Sequence, residues 1–273
     1  MKISFTTLAC PNWDLDTIVE RAVEYGFDAV DFRGTKAGLD IALQSEFTEG
    51  LERTADRIRA SGLIVSGVSS SLGICDAERF EANIEEARRT ILVARGLGAR
   101  QVRVFGNGDL AQGRDALIDQ GVRCMEAVSA LDGAEQIDWL LETHDNWIAS
   151  AHCLSLVEAV GWDCFGLLWD IGHTTRFLSD SLESTYALIG PRTPCVHLKD
   201  ARYEPEEKNA MEDGWRYVLP GEGNLPLDSA VRLLKSSDFD GWYVFEHEKR
   251  WHPDLDEPEV ALPAFVNWIR DLK

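Results

Sequence analysis

Four short segments in the second half of the chain end apolar runs on ionisable side chains. They are Leu140-Leu141-Glu142-Thr143-His144, Leu168-Trp169-Asp170-Ile171-Gly172-His173, Cys195-Val196-His197-Leu198-Lys199-Asp200 and Val244-Phe245-Glu246-His247-Glu248. They hold four of the six histidines. Glu142, Asp170, His197 and Glu246 together make three carboxylates and one imidazole. That mostly oxygen donor set suits Mn²⁺, Mg²⁺ or Co²⁺ and would accept Zn²⁺. Without a cation the carboxylates would repel one another and raise their own pKa values. One acid after an apolar run is ordinarily a helix cap or surface group, and a lone histidine ordinarily a satisfied core residue. Recurrence on four successive runs argues for a shared site.

Such residues meet only if their runs are neighbouring strands. Short β-branched runs alternate with longer amphipathic ones along the chain, as in βα units around a parallel sheet. The pattern predicts strands at 2–8, 29–32, 63–68, 101–105, 138–142, 166–170, 195–198 and 242–246. Helices are expected at 15–25 between Asp14 and Gly26, at 46–60, and after Asp76 on the apolar spacing Phe80, Ile84, Ala87, Ile91 and Ala94. Others are expected at 114–131, 147–160, 182–189 and 227–236, with the last opened by Pro258 and running to 272. Eight such units in 273 residues predict one α/β domain over 1–273, a (β/α)₈ TIM barrel. A doubly wound sheet would place a glycine-rich turn after its first strand, whereas Leu8-Ala9-Cys10-Pro11-Asn12-Trp13 has no glycine. Catalytic groups of a barrel gather where strands end, which is where the four segments place theirs.

The formal charge of −20 opposes nucleic acid and anionic membrane surfaces as partners. Six cysteines without a CxxC pair predict free thiols in a reducing cytoplasm. Met1-Lys2-Ile3-Ser4-Phe5 opens no apolar signal region, and no apolar run approaches the roughly 20 residues that span a bilayer. A cytoplasmic protein is expected.

The strand-end segments resemble the xylose isomerase-like superfamily, which includes sugar phosphate isomerases/epimerases, ketose 3-epimerases, inosose dehydratases and endonuclease IV. The resemblance covers the chain but is specific in its second half. It rests there on Leu-Glu142-Thr-His, Asp170-Ile-Gly-His173, Val-His197-Leu-Lys-Asp and Val-Phe-Glu246, and on the glycine turn Pro220-Gly221-Glu222-Gly223-Asn224. It implies that Glu142, Asp170, His197 and Glu246 bind one divalent metal ion, Mn²⁺ first. It also implies that Glu142 and Glu246 act as acid and base, that His173 touches substrate oxygen, and that the substrate is a small carbohydrate. A homodimer or tetramer would be ordinary. Chelation of a carbonyl and its neighbouring hydroxyl stabilises an enediolate while a carboxylate moves the α-proton.

Lys199 and Arg202 follow His197 and could anchor hydroxyls or a phosphate, or Lys199 could pair with a neighbouring acid. His144, two residues beyond Glu142 on the same face if the strand continues, could be a further general base or a support for the metal carboxylate. The first role keeps a lyase reading open, either inosose dehydratase-like or β-elimination from 3-oxo-glycosides. Trp13 could wall a sugar site or simply pack. The charged segment 247–256 could cover the pocket or meet a subunit. An endonuclease-type multinuclear zinc site is opposed by Val68-Ser69-Ser70-Ser71 and Phe105-Gly106-Asn107, which contain no histidine. A non-catalytic carbohydrate-binding barrel is the alternative from another class. The lack of a glycine-rich phosphate cradle favours a free sugar, polyol or glycoside over a phosphate ester.

Overall fold

The computed structural model describes residues 1–178 and 180–272. Eight parallel strands form one sheet: β1 (Lys2–Phe5), β2 (Ala29–Phe32), β3 (Ile64–Gly73), β4 (Gln101–Phe105), β5 (Asp138–Glu142), β6 (Phe165–Asp170), β7 (Cys195–Leu198) and β10 (Trp242–Phe245). Their order is β1-β10-β7-β6-β5-β4-β3-β2, and an isolated parallel bridge between Thr6 and Asp31 brings β1 to β2. The result is a nearly closed TIM barrel. Helices α1 (Leu15–Tyr25), α2 (Leu51–Ala60), α3 (Phe80–Leu97), α4 (Arg114–Ser129) and α5 (Ser150–Val160) follow the first five strands. After them come α6 (Ile171–Phe177), α7 (Leu182–Ile189), α8 (Leu227–Ser236) and α9 (Pro258–Asp271).

Side-chain alternation along the strands divides the core in two. Trp139, Leu141, Leu167, Trp169, Val196 and Phe245 belong to the large core shared with the helices. Leu140, Leu168, Cys195 and Val244 form a separate small cluster. Each of these four lies two residues before one of the ionisable residues singled out above, on the same face of its strand. They form an apolar floor directly beneath the candidate site.

The strand and helix pattern follows the expected one, with differences of physical interest. Asp14 caps α1 by accepting from Thr17 N at 3.0 Å, and Gly26 closes it in the left-handed region at φ 84°. β1 stops at Phe5, not 8, because Thr7–Ala9 turns into a 3₁₀ helix. β3 continues past 68 to Gly73, where the Asn83 amide bonds both the N–H and the carbonyl of Gly73 at 3.1 and 2.9 Å. α6 was not expected. It starts on Asp170, whose Oδ1 accepts from His173 N at 2.8 Å. Also unexpected is an antiparallel hairpin of β8 (Asp200–Tyr203) and β9 (Trp215–Val218), inserted after β7. Its base is fixed by Asp200, which accepts from the N–H groups of Gly221 and Gly223 at 2.9 Å each. A Cβ on Gly223 would collide with that carboxylate. All six cysteines are free. Among the described residues no helix is long and apolar enough to cross a membrane.

Candidate metal centre and active-site cavity

Glu142 ends β5, Asp170 ends β6, His197 lies in β7 and Glu246 follows β10. Each offers one ligand atom to a group in which all atoms lie within 4.8 Å of one another, and all four residues are buried. His197 Nδ1 stands 3.4 Å from Glu142 Oε1 and 3.2 Å from Glu246 Oε1, out of hydrogen-bond alignment. Both carboxylate oxygens of Glu142, Asp170 Oδ2 and both ring nitrogens of His197 are buried without a hydrogen-bond partner. Lys199 stands 2.9 Å from Asp170 Oδ2 and Arg103 3.3 Å from Glu142 Oε2, but neither contact is aligned as a hydrogen bond. Buried polar atoms without aligned hydrogen bonds are costly, and an oxygen-rich donor set closing on one point is what a divalent cation would satisfy. The residues present therefore fit the metal that their spacing suggested. Thr143 helps fix the arrangement: its hydroxyl accepts from Asp170 N at 2.8 Å, tying β5 to β6.

The electrostatics show what the site does with its own charges. Burial works against charge on His197, yet Glu246 and Glu142 outweigh it and push its pKa up to about 10. Burial opposes ionisation of Glu142 as well, but the Arg103 guanidinium and His197 hold it below the usual carboxylate range. Lys199 and His197 do the same for Glu246. Asp170 goes the other way. Its burial, with Glu246 and Glu142 nearby, outweighs Lys199 and raises it to about 7. A proton on His197, held between two carboxylates, thus supplies part of the positive charge that a cation would bring.

Lys199 is inside this site. Its ammonium lies 2.9 Å from Asp170 Oδ2, 2.6 Å from Glu246 Oε2, 2.7 Å from Glu248 Oε1 and 3.1 Å from His173 Nε2. Desolvation by burial is overcome by those acids, Asp170 first, and the lysine pKa rises well above its usual value. His173 is driven the opposite way by burial and by the Lys199 charge, and is neutral near pH 7. His144 packs edge-on to His173 at 4.4 Å and places Nδ1 2.9 Å from Asp145 Oδ2. That contact overcomes the burial that disfavours charge and raises the His144 pKa.

A cavity of about 440 Å³ opens onto these groups, with Glu142, His144, Glu246, Glu248 and Trp251 in its wall. Two of the proposed substrate contacts lie elsewhere. Trp13 is buried in the core between barrel and helices, so the indole in the cavity wall is Trp251, which is 52% exposed. Arg202, on the hairpin, gives its guanidinium to the carbonyl of Glu222 and lies 3.6 Å from Glu204, away from the cavity. Segment 247–256 folds mainly on itself. His247 Nε2 donates to Asp256 O at 2.8 Å, and Lys249 Nζ bonds Pro253 O, Leu255 O and Glu257 at 2.6–2.8 Å. Arg250 N donates to Leu8 O and its guanidinium to Thr35 O, which pins the loop beside the mouth.

Three wall residues escaped sequence reasoning. Trp251 lies within the charged segment 247–256, where nothing marks it as a wall residue. Arg103 sits between two valines in Gln101-Val-Arg-Val-Phe105, and Arg33 follows β2 directly. A charge inside an otherwise apolar parallel strand was the available signal, since such strands are buried on both faces.

The model of the xylose isomerase-like TIM-barrel family matches residues 19–272. Among curated relatives, an inosose dehydratase from Bacillus thuringiensis (strain Al Hakam) is 34% identical over 108 residues, 36% of this chain and 35% of that protein. The match thus spans about a third of the relative's length. Among solved structures, the probable 3-DHS dehydratase AsbF from Bacillus anthracis superposes with a TM-score of 0.77 at 20% identity, covering both chains fully. The 3-keto-D-glucoside 4-epimerase from E. coli superposes at 0.74 with 17% identity over 99% of each chain. At such identities the superpositions speak for the fold.

Proposed function

Since the chain belongs to the xylose isomerase-like TIM-barrel family, we propose that it is a divalent-metal-dependent isomerase or epimerase that moves a proton next to the carbonyl of a small carbohydrate. The observation that carries this reading is the pair Glu142 and Glu246, set on either side of His197 with the orphaned oxygens and nitrogens of the four-residue cluster between them. A bound dication supplies Lewis acidity for an enediolate. The chain supplies the rest. Glu142 and Glu246 are both held ionised, by Arg103 and Lys199 respectively, so either can accept an α-proton. Glu246 shares its other oxygen with Lys199, which fixes the direction of its free lone pairs. His144, its pKa raised by Asp145 against the effect of burial, stands at the cavity wall where its protonated form could return a proton to a carbon or oxygen of the substrate. His173, kept neutral, can bond a hydroxyl without adding charge.

A dehydratase built on the same residues is the second reading. The stretch shared with the inosose dehydratase favours it. So does the gathering of proton donors, His144 and Lys199, since loss of a β-hydroxyl requires its protonation. Turnover of ketoses, cyclic keto-polyols and their carboxylated or phosphorylated counterparts by metal-loaded protein in D₂O, read by NMR and mass spectrometry, tests both. Deuterium at the carbon next to the carbonyl in a product of unchanged formula supports the isomerase or epimerase. A product lighter by one water selects the dehydratase. No deuterium exchange into any substrate, with metal demonstrably bound, would contradict both.

A further inference from the structure

The carboxylates and His197 account for one side of the cavity only. The opposite side is walled by Arg33 after β2, Arg79 in the turn after β3, and Arg103 within β4. Arg33 and Arg103 are just 7% and 4% exposed. A guanidinium carries five donors and no acceptor, so burying one demands several acceptors around it. These two lack them. Glu142 Oε2 approaches Arg103 Nε at 3.3 Å but out of line, and Arg103 Nε and Nη1 remain buried without a partner. The Arg103 fork is nevertheless held in place, with Cζ 3.8 Å from the centre of the Phe105 ring. Among the described residues, the only hydrogen bond of the Arg33 guanidinium is a long one, 3.4 Å, to Ser69 O, and it forms no ion pair. The nearby acids are occupied elsewhere: Asp31 accepts from Ser69 Oγ at 2.8 Å and Glu86 from Ser71 N. Burial and the like charge of Arg103 pull the Arg33 pKa below the usual arginine range, against the opposing pull of Glu86, Glu142 and Asp31.

We propose that Arg33 and Arg103, with Arg79 at the rim, form an oxyanion pocket that takes a carboxylate or phosphate group of the substrate. The substrate is then a polyhydroxylated acid or a sugar phosphate, not a neutral sugar. Planar guanidinium forks lining a cavity match such oxyanions in charge and geometry. Two fixed grips, one cationic wall and one acidic wall, would hold a small molecule in a single orientation across the cavity. In a chain of net charge −20, a local cationic wall is also what allows an anion to enter at all. The proposal deepens the reading of this cavity as a carbohydrate site and rests on it.

Calorimetric titration of the metal-loaded full-length chain with matched probes tests it: D-gluconate against D-gluconamide, and D-glucose 6-phosphate against D-glucose. The charged member of one pair is expected to bind at least about tenfold tighter than its neutral partner, a margin ordinary for hydrogen bonds to charged groups. The pair that shows it identifies carboxylate or phosphate. Arg33→Gln, and Arg103→Lys which keeps a charge beside Glu142, should each erase most of that preference, with bound metal unchanged in Arg33→Gln. The preference should also persist after metal is removed by chelator. Equal binding within both pairs overturns the proposal. So does a preference that needs metal and survives both substitutions, since the anion would then sit on the cation. A preference that behaves as expected in a protein that binds no metal would uphold the pocket while removing the metal-dependent reading of the site.

Discussion

The two halves of the barrel mouth are built on opposite charge. Strands β5, β6, β7 and β10 end on three carboxylates and a histidine around the Lys199 ammonium, whereas the units of β2, β3 and β4 present guanidinium groups with few acceptors. Each half alone would be a poorly compensated buried cluster. Arg103 and Glu142, 3.3 Å apart, are where the halves touch, and neither satisfies the other. With both proposed sites filled, a cation on one half and an anion on the other would each offset the cost of burying like charges together.

Breaking the acidic half should have the largest effect. Glu246→Gln keeps the shape but removes a proton acceptor and an anionic partner of Lys199, and kcat/KM for α-proton exchange should fall about 10³-fold; loss of less than about tenfold would assign the base elsewhere. Cutting the contact between halves comes next. Arg103→Met should destabilise the metal-free protein by about 3 kcal/mol, because Glu142 loses its guanidinium in a buried place. In urea unfolding the loss should shrink when saturating metal is present; an equal loss with and without metal would mean that Arg103 serves packing only.

Proton competition gives a smaller, graded effect. Cation binding requires Asp170 and His197 without their protons, and their pKa values are raised to about 7 and about 10. The bound form carries fewer protons than the free one, so affinity must rise with pH. Between pH 8 and 6 the metal dissociation constant should increase by about tenfold per unit on account of His197, and by about a further tenfold over the whole interval on account of Asp170, which titrates within it. A pH-independent constant would show that those residues are not the ligands. The smallest effect belongs to Arg202→Ala. Its guanidinium is spent on Glu222 and the partly exposed Glu204, so activity should change less than about twofold. A large rise in KM would instead place Arg202 over the substrate.

The acidic half was legible in the sequence because each candidate ligand ends an apolar run, and strand ends are where a barrel puts chemistry. The cationic half was hidden by the same logic. Arg103 stands mid-strand, away from the strand ends where a barrel puts its chemistry, and Arg33 reads as a loop residue. The absence of a glycine-rich phosphate turn pointed to a neutral sugar, yet backbone cradles are not the only way to hold an anion. α6 escaped notice because Asp170 is both a candidate ligand and the cap of a helix that starts at once. The hairpin of β8 and β9 has four-residue strands of mixed polarity, too short to register as a pattern. Its presence turns Arg202 away from the cavity that a simple continuation of β7 would have let it reach. Trp13 shows the limit of composition: an aromatic near a strand end can as well face the helices as the mouth.

Metal content by elemental mass spectrometry, on wild type and Glu246→Gln purified without chelator, tests the central claim most directly. About one divalent ion per wild-type chain, lost or strongly weakened in the variant while both remain folded, is the result expected of a four-ligand site with one ligand removed. A wild-type protein that takes up no ion even after supplementation and still folds would contradict the account and leave a barrel that binds its ligand without metal chemistry.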